Sequence, residues 1–342
     1  MSKRILFVGN FFDKKAGTTS PSRKVAEVLN KQGLKSSFVS SFTNRLYRVP
    51  DILMRVISYP YSILHIDVYS GNAFRIAETT ARLALKRKKP YVLALHGGSL
   101  PEFFQNNADR INELFSQASF IYTPSNYLHR FFNKQNPDCA ITYMPNMVDL
   151  AAFSPKPVYG PVKKLLWVRA FTPIYNPDIA PKVLHELGKD YPDLTLTMVG
   201  PDKGLLPQIK SLADDLGVAD RISFTGPVPN ASLPEVYRNH DVLLNTTSYE
   251  SFGMSVAEAA ASGLPVISSR VGELPLIWNE GSDILFTSEV KAEAFAVHLR
   301  KLLEDSQLAE ELGRSASINV KNFDEEKLAQ RWAHIAQSFK DF

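Results

Sequence analysis

Residues 241–275, with the sequence DVLLNTTSYESFGMSVAEAAASGLPVISSRVGELP, constrain the fold of this chain more than any other stretch. The apolar run at 242–244 predicts a buried parallel strand. After a polar turn, a helix is predicted over 254–262, because a Gly-Leu-Pro sequence then stops it, and a second strand follows over 266–268. Strand–helix–strand units of this kind bind ligands at the carboxyl ends of their strands.

Two carboxylates mark this unit. Glu250 lies in the strand-to-helix turn, and Glu258 lies in a helix of small apolar residues, where a carboxylate without a partner is costly. Between them, Ser251, Phe252 and Gly253 allow backbone N–H groups to converge at a helix N-terminus, which favours anions. The stretch therefore combines an anion site with two hydrogen-bond acceptors, as a phosphorylated sugar requires. The alternative is an ordinary packing unit with a solvated glutamate in its turn.

The order of the predicted elements indicates an α/β fold of two doubly wound domains. One series of alternating strands and helices precedes a stretch rich in Pro and Gly at 155–161, and a second series follows it. We therefore place an N-terminal domain at 1–155 and a C-terminal domain at 160–322.

Charge is divided unevenly between the two halves. Residues 1–160 contain 21 Lys and Arg against 10 Asp and Glu, a net charge of +11, and the remainder carries −7. An anionic partner for the first half is expected, but no nucleic-acid-binding signature accompanies the charge, so nucleic acid is not predicted. The single cysteine, the polar N-terminus and the lack of a membrane-spanning apolar stretch lead us to expect a cytoplasmic protein.

A segment at 42–58 mixes Arg45, Arg48 and Arg55 with large apolar residues. Such a segment can lie on an anionic membrane surface, which would place the protein at the inner face of the membrane. The alternative is a helix that packs on the sheet with its arginines in solvent. Pro50 is expected to interrupt any single long helix here.

The spacing from Glu250 to Glu258, followed by Ala-Ser-Gly-Leu-Pro-Val-Ile at 261–267, resembles the E-x7-E donor-site signature of retaining GT-B glycosyltransferases. The resemblance is to glycosyltransferase family 4, which includes sucrose-phosphate synthase-like and lipopolysaccharide-building enzymes. It implies two Rossmann-like domains that face each other across a cleft, with the helix at 323–342 packing back on the first domain. It also implies sugar transfer from a nucleotide-sugar, a substrate and not a cofactor, to a glycan or lipid-linked acceptor in polysaccharide or glycolipid synthesis.

The resemblance assigns roles to individual residues. Arg169 and the helix N-terminus after Gly253 would hold the diphosphate, Glu250 the sugar hydroxyls, and Glu258 the ribose diol. His96, after a predicted strand of the first domain, would contact the transferred sugar, which makes Glu250, His96 and Arg169 the candidate catalytic set. The candidate donor-binding residues are Gly17, Arg169, Gly200, Val228, Glu250, Ser251, Phe252, Gly253, Met254 and Glu258. No metal is expected, because no cluster has metal-ligand spacing and an arginine with a helix dipole can replace a cation.

The sequence departs from the family's pattern at three places. Ala16-Gly17 stands where paired glycines are usual, and Met147 replaces a glycine. The lysine that usually follows the arginine is missing, since residues 170–177 read AFTPIYNP. Two alternative functions therefore stay open. One is a GT-B epimerase or phosphorylase, and the other is a nucleotide-sugar-binding or partner protein without catalysis.

Overall fold

Two parallel sheets organise the chain, which a computed structural model describes at residues 3–9, 11, 20–97, 99–137, 139–156 and 159–341. Unit 1 comprises Met1–Met147 with Glu325–Phe342, and unit 2 comprises Val148–Asp324. The division between the units lies before the predicted linker, so residues 148–155 group with the second sheet and not with the first.

Unit 1 is built on a six-stranded sheet. Its strands are β1 (Arg4–Val8), β2 (Lys35–Val39), β3 (Ile63–Val68), β4 (Tyr91–Leu95), β5 (Phe120–Thr123) and β6 (Ile141–Tyr143). Its first helices are α1 (Pro21–Lys31), α2 (Arg45–Ser58), α3 (Asn72–Lys86), α4 (Leu100–Gln105), α5 (Ala108–Ser116) and α6 (Asn126–Gln135). The strand order is β2-β1-β3-β4-β5-β6, with parallel pairing throughout. The chain order reverses between β1 and β3, and ligands of open α/β sheets bind at such a switch point.

Unit 2 repeats this architecture. Its strands are β7 (Lys164–Val168), β8 (Thr195–Val199), β9 (Ile222–Gly226), β10 (Val242–Asn245), β11 (Val266–Ser269) and β12 (Leu285–Thr287). Its helices are α7 (Ile179–Leu187), α8 (Leu206–Asp215), α9 (Leu233–Arg238), α10 (Met254–Ala261), α11 (Leu274–Ile277), α12 (Ala292–Glu304) and α13 (Ser306–Asn319). Short 3-10 helices cover Pro173–Tyr175, Ala219–Arg221, Asn230–Ser232 and Val320–Phe323. The order β12-β11-β10-β7-β8-β9 places the switch point between β7 and β10.

Both faces of each sheet are buried, which explains why the strands are continuous apolar runs. In β1, Ile5 and Phe7 join the core that contains α1, whereas Leu6 and Val8 join the core that contains α2 and α3. The predicted fold class, with two doubly wound α/β domains, is confirmed by these two parallel sheets.

Of the helices predicted from local sequence, one is observed as expected and one differs. The helix predicted over 254–262 is observed as Met254–Ala261. The expectation that Pro50 interrupts the helix at 42–58 is wrong, since α2 is continuous through Pro50. The missing N–H of Pro50 deprives the carbonyl of Leu46 of its helical partner, and Leu46 is exposed, so water can satisfy that carbonyl. No helix in the described part of the chain is long and apolar enough to span a bilayer.

The last helix, α14 (Glu325–Asp341), packs on the sheet of unit 1. Its buried residues recur at helical spacing and join the core beside α1, and they are Leu328, Trp332, Ala336 and Phe339. The Trp332 ring meets the Tyr122 ring edge-on, with 4.8 Å between the ring centroids. An aromatic contact of this kind adds to the free energy gained by burying the indole.

We expect Trp332→Ala to lower the free energy of local unfolding in unit 1 by about 3–5 kcal/mol, because a large buried ring is replaced by a cavity. Amide hydrogen exchange in β5, which carries Tyr122, should accelerate by about a hundred-fold or more. The matched control is Gln337→Ala, at an exposed position of the same helix. Equal exchange rates in both variants would contradict the packing of α14 on this sheet.

Candidate functional site

The switch point of the second sheet carries an arginine. Arg169 directly follows β7, and Asn245 ends β10, so the two side chains lie at adjacent carboxyl ends of strands. The Nε and Nη2 atoms of Arg169 are 3.4 and 3.2 Å from Oδ1 of Asn245. Asn245 is buried, and its Nδ2 donates to Oγ of Ser268 at 2.8 Å. The amide of Asn245 is thereby held in the orientation that presents its oxygen to the guanidinium.

Arg169 forms a buried ion pair with Glu250. Nη2 of Arg169 donates to Oε2 of Glu250, and the two side chains are only 13% and 10% exposed. The other carboxylate oxygen, Oε1, accepts from the backbone N–H groups of Ser251 at 3.1 Å and Phe252 at 3.4 Å. The carboxylate of Glu250 thus occupies an anion position formed by one guanidinium and two backbone donors. These are the donors that the sequence predicts for a phosphate group.

Two of the predicted glycines are required by close contacts. Gly253 has φ +85° at the start of α10, and a Cβ there would lie 2.7 Å from the Leu274 side chain. Gly200 has φ +148°, and a Cβ there would lie 1.8 Å from the carbonyl oxygen of Arg169. Gly200 therefore allows the loop after β8 to pack directly against the backbone of Arg169.

Glu258 lies on α10 and is half-buried. The hydroxyl of Tyr237 donates to its Oε2 at 2.8 Å. Burial, and then the charge of Glu258, raise the pKa of Tyr237 well above its usual value, so the phenol keeps the proton that it donates. Tyr237 thus fixes the carboxylate of Glu258, and nothing in the sequence had singled out Tyr237.

The other predicted donor-binding residues differ in their exposure. Ser251 is exposed, while Phe252 is buried and meets the Phe323 ring edge-on at 5.2 Å. Met254 and Val228 are partly buried against the same apolar core. Gly17 lies outside the described residues.

Residues 170–177, where the resembled family has a lysine, contact the residues that follow β10. Asn176 has φ +44°, and its Nδ2 donates to the carbonyl oxygen of Thr246 and to Oγ of Ser248, both at 2.8 Å. The ring of Tyr175 lies 5.1 Å from Cζ of Arg169, within cation–π distance. Residues 170–177 therefore brace Arg169 but supply no second cation.

His96 belongs to unit 1, where it follows β4. Its Nε2 is 3.6 Å from Oδ1 of Asp67, and its ring stacks on Tyr69 with 5.4 Å between centroids. Oδ1 of Asp67 also accepts from the Ser22 hydroxyl at 2.7 Å and lies 3.7 Å from Nδ1 of His65. The sequence prediction named His96 but missed Asp67, which lies at the end of a neighbouring strand.

The described residues contain no group of three or more His, Cys, Asp or Glu side chains that could hold a metal ion. The guanidinium of Arg169 and the backbone N–H groups of Ser251 and Phe252 are positioned to bind an anion.

Comparison with known proteins finds sequence matches for the second half of the chain. Residues 152–318 match the family model "Glycosyl transferases group 1". The chain is 32% identical to D-inositol 3-phosphate glycosyltransferase of Corynebacterium glutamicum (strain R) over 166 residues, which cover 47% of this chain and 40% of that protein. The protein of the same name from Acidothermus cellulolyticus is 32% identical over 167 residues, covering 46% and 37% respectively. The chain thus matches less than half the length of these curated relatives.

Solved structures extend the likeness to both units. Anabaena Alr3699/HepE in complex with UDP and glucose superposes with a TM-score of 0.77 at 18% identity, over 98% of this chain and 100% of that chain. Sucrose-phosphate synthase from Thermosynechococcus elongatus superposes with a TM-score of 0.79 at 16% identity, over 99% of each chain. The fold is GT-B. In this GT-B chain, Arg169, Glu250 and the N-terminus of α10 lie together at the switch point of the second Rossmann-like unit.

Proposed function

We propose that this chain transfers a sugar from a nucleoside-diphosphate sugar to a glycan or lipid-linked acceptor, with retention of configuration at the anomeric carbon. The observation that carries the proposal is the anion position at the switch point, formed by Arg169 and the backbone N–H groups of Ser251 and Phe252. Support comes from the family model, whose description names glycosyl transferases, and from neighbours solved with UDP and glucose or with UDP-glucose.

In this proposal, the donor diphosphate binds at the position that the carboxylate of Glu250 occupies. We infer that the diphosphate takes over the contacts with Arg169 and the two backbone donors, because the diphosphate bridge carries two negative charges and a carboxylate carries one. Glu250 is then released from the guanidinium and can accept hydrogen bonds from the sugar hydroxyls. Glu258, fixed by Tyr237, holds the ribose diol.

The reaction needs no nucleophilic side chain in this scheme. The bond between the anomeric carbon and the phosphate oxygen breaks, and the acceptor oxygen bonds to the same face of the sugar. The acceptor proton passes to the departing phosphate, whose negative charge is stabilised by Arg169 and the helix N-terminus. His96 of unit 1 is assigned to contact with the transferred sugar. We propose that no metal ion is required, and transfer should therefore survive EDTA.

One observation favours a second function. Because residues 170–177 contain no lysine, Arg169 is the cation that residues 169–177 offer to the diphosphate. Arg169 is already paired with Glu250. A protein that binds nucleotide-sugars without transferring them would tolerate the weaker diphosphate contact. Binding of a nucleotide-sugar without release of the nucleotide, across a panel of acceptors, would favour this second function.

The two glutamates should respond differently to replacement. Glu258→Gln should raise the Kd of the nucleoside diphosphate by about ten- to a hundred-fold. This is the loss of affinity expected when hydrogen bonds to a charged group are weakened. Glu250→Gln should cut turnover strongly but leave that Kd unchanged or lower it, because the carboxylate that competes for Arg169 is gone. Thermal stabilisation by UDP, GDP and ADP selects the nucleotide, and calorimetry gives each Kd.

The matched control for both variants is Glu310→Gln, which changes a glutamate on α13 that pairs with Arg314 at the surface. It should alter neither turnover nor binding. If Glu250→Gln and Glu258→Gln both transfer sugar at wild-type rates, the assignment of the donor site is wrong. Loss of transfer in EDTA that a divalent cation restores would contradict the proposal that no metal is needed.

We further propose that α2 places the acceptor side of the protein on an anionic membrane. Ile52 and Val56 anchor the helix in the core of unit 1. The outward side carries apolar residues that are each more than half exposed, namely Leu46, Tyr47, Met54 and Ile57. Its basic residues are Arg45, Arg48 and Arg55. An amphipathic helix with exposed apolar and basic side chains binds anionic lipid through both.

Wild-type protein should therefore bind vesicles that contain phosphatidylglycerol, and binding should weaken as the salt concentration rises. Joint replacement of Arg45, Arg48 and Arg55 by Gln should weaken sedimentation with these vesicles without changing nucleotide binding. The three arginines together contribute about 3 kcal/mol if each lies near the lipid surface. A matched control replaces three lysines by Gln, one at the last position of α3 and two just after it, at positions 86, 88 and 89.

Equal weakening in the control would assign the effect to the general charge of unit 1 and not to α2. If the wild-type protein does not bind the vesicles even at low ionic strength, the membrane proposal is contradicted and a soluble acceptor is favoured.

A further inference from the structure

A buried carboxylate lies at the switch point of the first sheet, between β1 and β3. Asp67 is the penultimate residue of β3, and its side chain is 5% exposed. Its Oδ2 lies 2.3 Å from the position that a Cβ on Gly9 would take. The carboxylate therefore fits against the end of β1 because residue 9 has no side chain.

Burying a carboxylate costs free energy unless positive charge or hydrogen bonds compensate. Burial raises the pKa of Asp67, but three effects outweigh burial and hold the pKa below its usual value: the contact with His96, the positive charges that His96 and His65 carry when protonated, and the Ser22 hydroxyl. Asp67 is therefore ionised at neutral pH.

The two histidines differ in what they can offer to Asp67. Burial lowers the pKa of His65 to about 4, despite the charge of Asp67, so its imidazole is neutral at pH 7. His65 is also engaged elsewhere, since its Nε2 lies 2.9 Å from the Tyr122 hydroxyl. His96 presents Nε2 to Asp67, and this nitrogen is buried without a hydrogen-bond partner among the described residues.

We propose that Asp67 is a positioning residue for His96: it holds the imidazole proton on Nε2, so that Nδ1 is the nitrogen that contacts the sugar or its acceptor. A lone pair on Nε2 would face the carboxylate at 3.6 Å and be repelled, whereas an N–H there is attracted. The stacked ring of Tyr69 fixes the plane of the imidazole, so the tautomer decides what Nδ1 can do. The catalytic part of this proposal rests on the proposed function, in which His96 contacts the transferred sugar.

Long-range ¹H–¹⁵N spectra of protein labelled at histidine test the tautomer directly. The His96 signals are those that disappear in His96→Gln. Wild-type protein should show a proton on Nε2 of His96. Asp67→Leu keeps the branched shape of the side chain but removes its charge and its hydrogen-bond acceptors. This variant should shift the His96 tautomers towards a proton on Nδ1. Asp67→Asn is the milder second variant, and it should shift the population in the same direction by removing the charge.

Two further variants separate positioning from a general structural role. Gly9→Ala keeps the charge of Asp67 but displaces the carboxylate, so it should change the His96 signals in the same direction. Glu78→Gln is the matched control. Glu78 is a mostly buried carboxylate of the same unit, but it lies on a helix and pairs with Arg110 of another helix. It should leave the His96 tautomer and turnover unchanged.

In transfer assays, Asp67→Asn and Asp67→Leu should lower kcat by about tenfold or more, as expected when an oriented acid–base or binding group is lost. The Kd of the nucleoside diphosphate should not change, because its proposed contacts are in unit 2. A proton on Nδ1 of His96 in the wild type, or full turnover after Asp67→Leu, would overturn the proposal. If the wild type transfers no sugar at all, the proposed function fails, whereas the spectra still decide whether Asp67 sets the tautomer.

Discussion

The buried ion pair between Arg169 and Glu250 is the interaction on which the arrangement of the switch point in unit 2 depends. Removing one partner of a buried pair leaves an uncompensated charge and typically costs about 3–5 kcal/mol. Asn245 and the ring of Tyr175 hold the guanidinium, Gly200 lets a loop pack against its backbone, and two N–H groups hold the carboxylate. The pair is thus stabilised from both sides without a ligand. An anionic ligand that replaces the carboxylate meets donors that are already in position, which is the condition for strong electrostatic stabilisation.

The same principle applies in unit 1 with a different set of groups. The carboxylate of Asp67 lies at a switch point, as Arg169 does, but its partners are two imidazoles and a hydroxyl. Because a neutral imidazole has two tautomers, a fixed charge nearby can select one of them. In our proposals, the switch point of unit 2 presents donors to an anion, and the switch point of unit 1 orients a histidine.

Much of this could be predicted from the sequence, because the signals are local. The apolar run before Asn245, the glycine at 253 and the small residues of α10 specify a strand, a turn and a helix within one short stretch. Arg169 could be named because the family that the sequence resembles has an arginine directly after the first strand of its second domain. The fold class followed from two series of strands and helices on either side of a stretch rich in Pro and Gly.

The residues that the sequence did not reveal are those placed by tertiary contacts. Tyr237 reaches Glu258 from another helix, and Asp67 reaches His96 from another strand. No spacing along the chain predicts either contact, since the strand order of the sheet decides which side chains meet. The prediction for Pro50 was wrong for another reason. A proline near an exposed helix start leaves a carbonyl that water can reach, so the helix continues.

We expect Arg169 and the turn after β10 to bind the diphosphate of a nucleotide-sugar. Calorimetry of UDP, GDP and ADP with the wild type, Arg169→Gln and Arg300→Gln tests it most directly, because Arg300 pairs with Asp190 at the surface of the same unit. The wild type should bind at least one of these nucleotides, and Arg300→Gln should bind it equally well. Arg169→Gln should bind it about ten- to a hundred-fold more weakly. Equal affinity of the wild type and Arg169→Gln would contradict a role of Arg169 in binding the diphosphate.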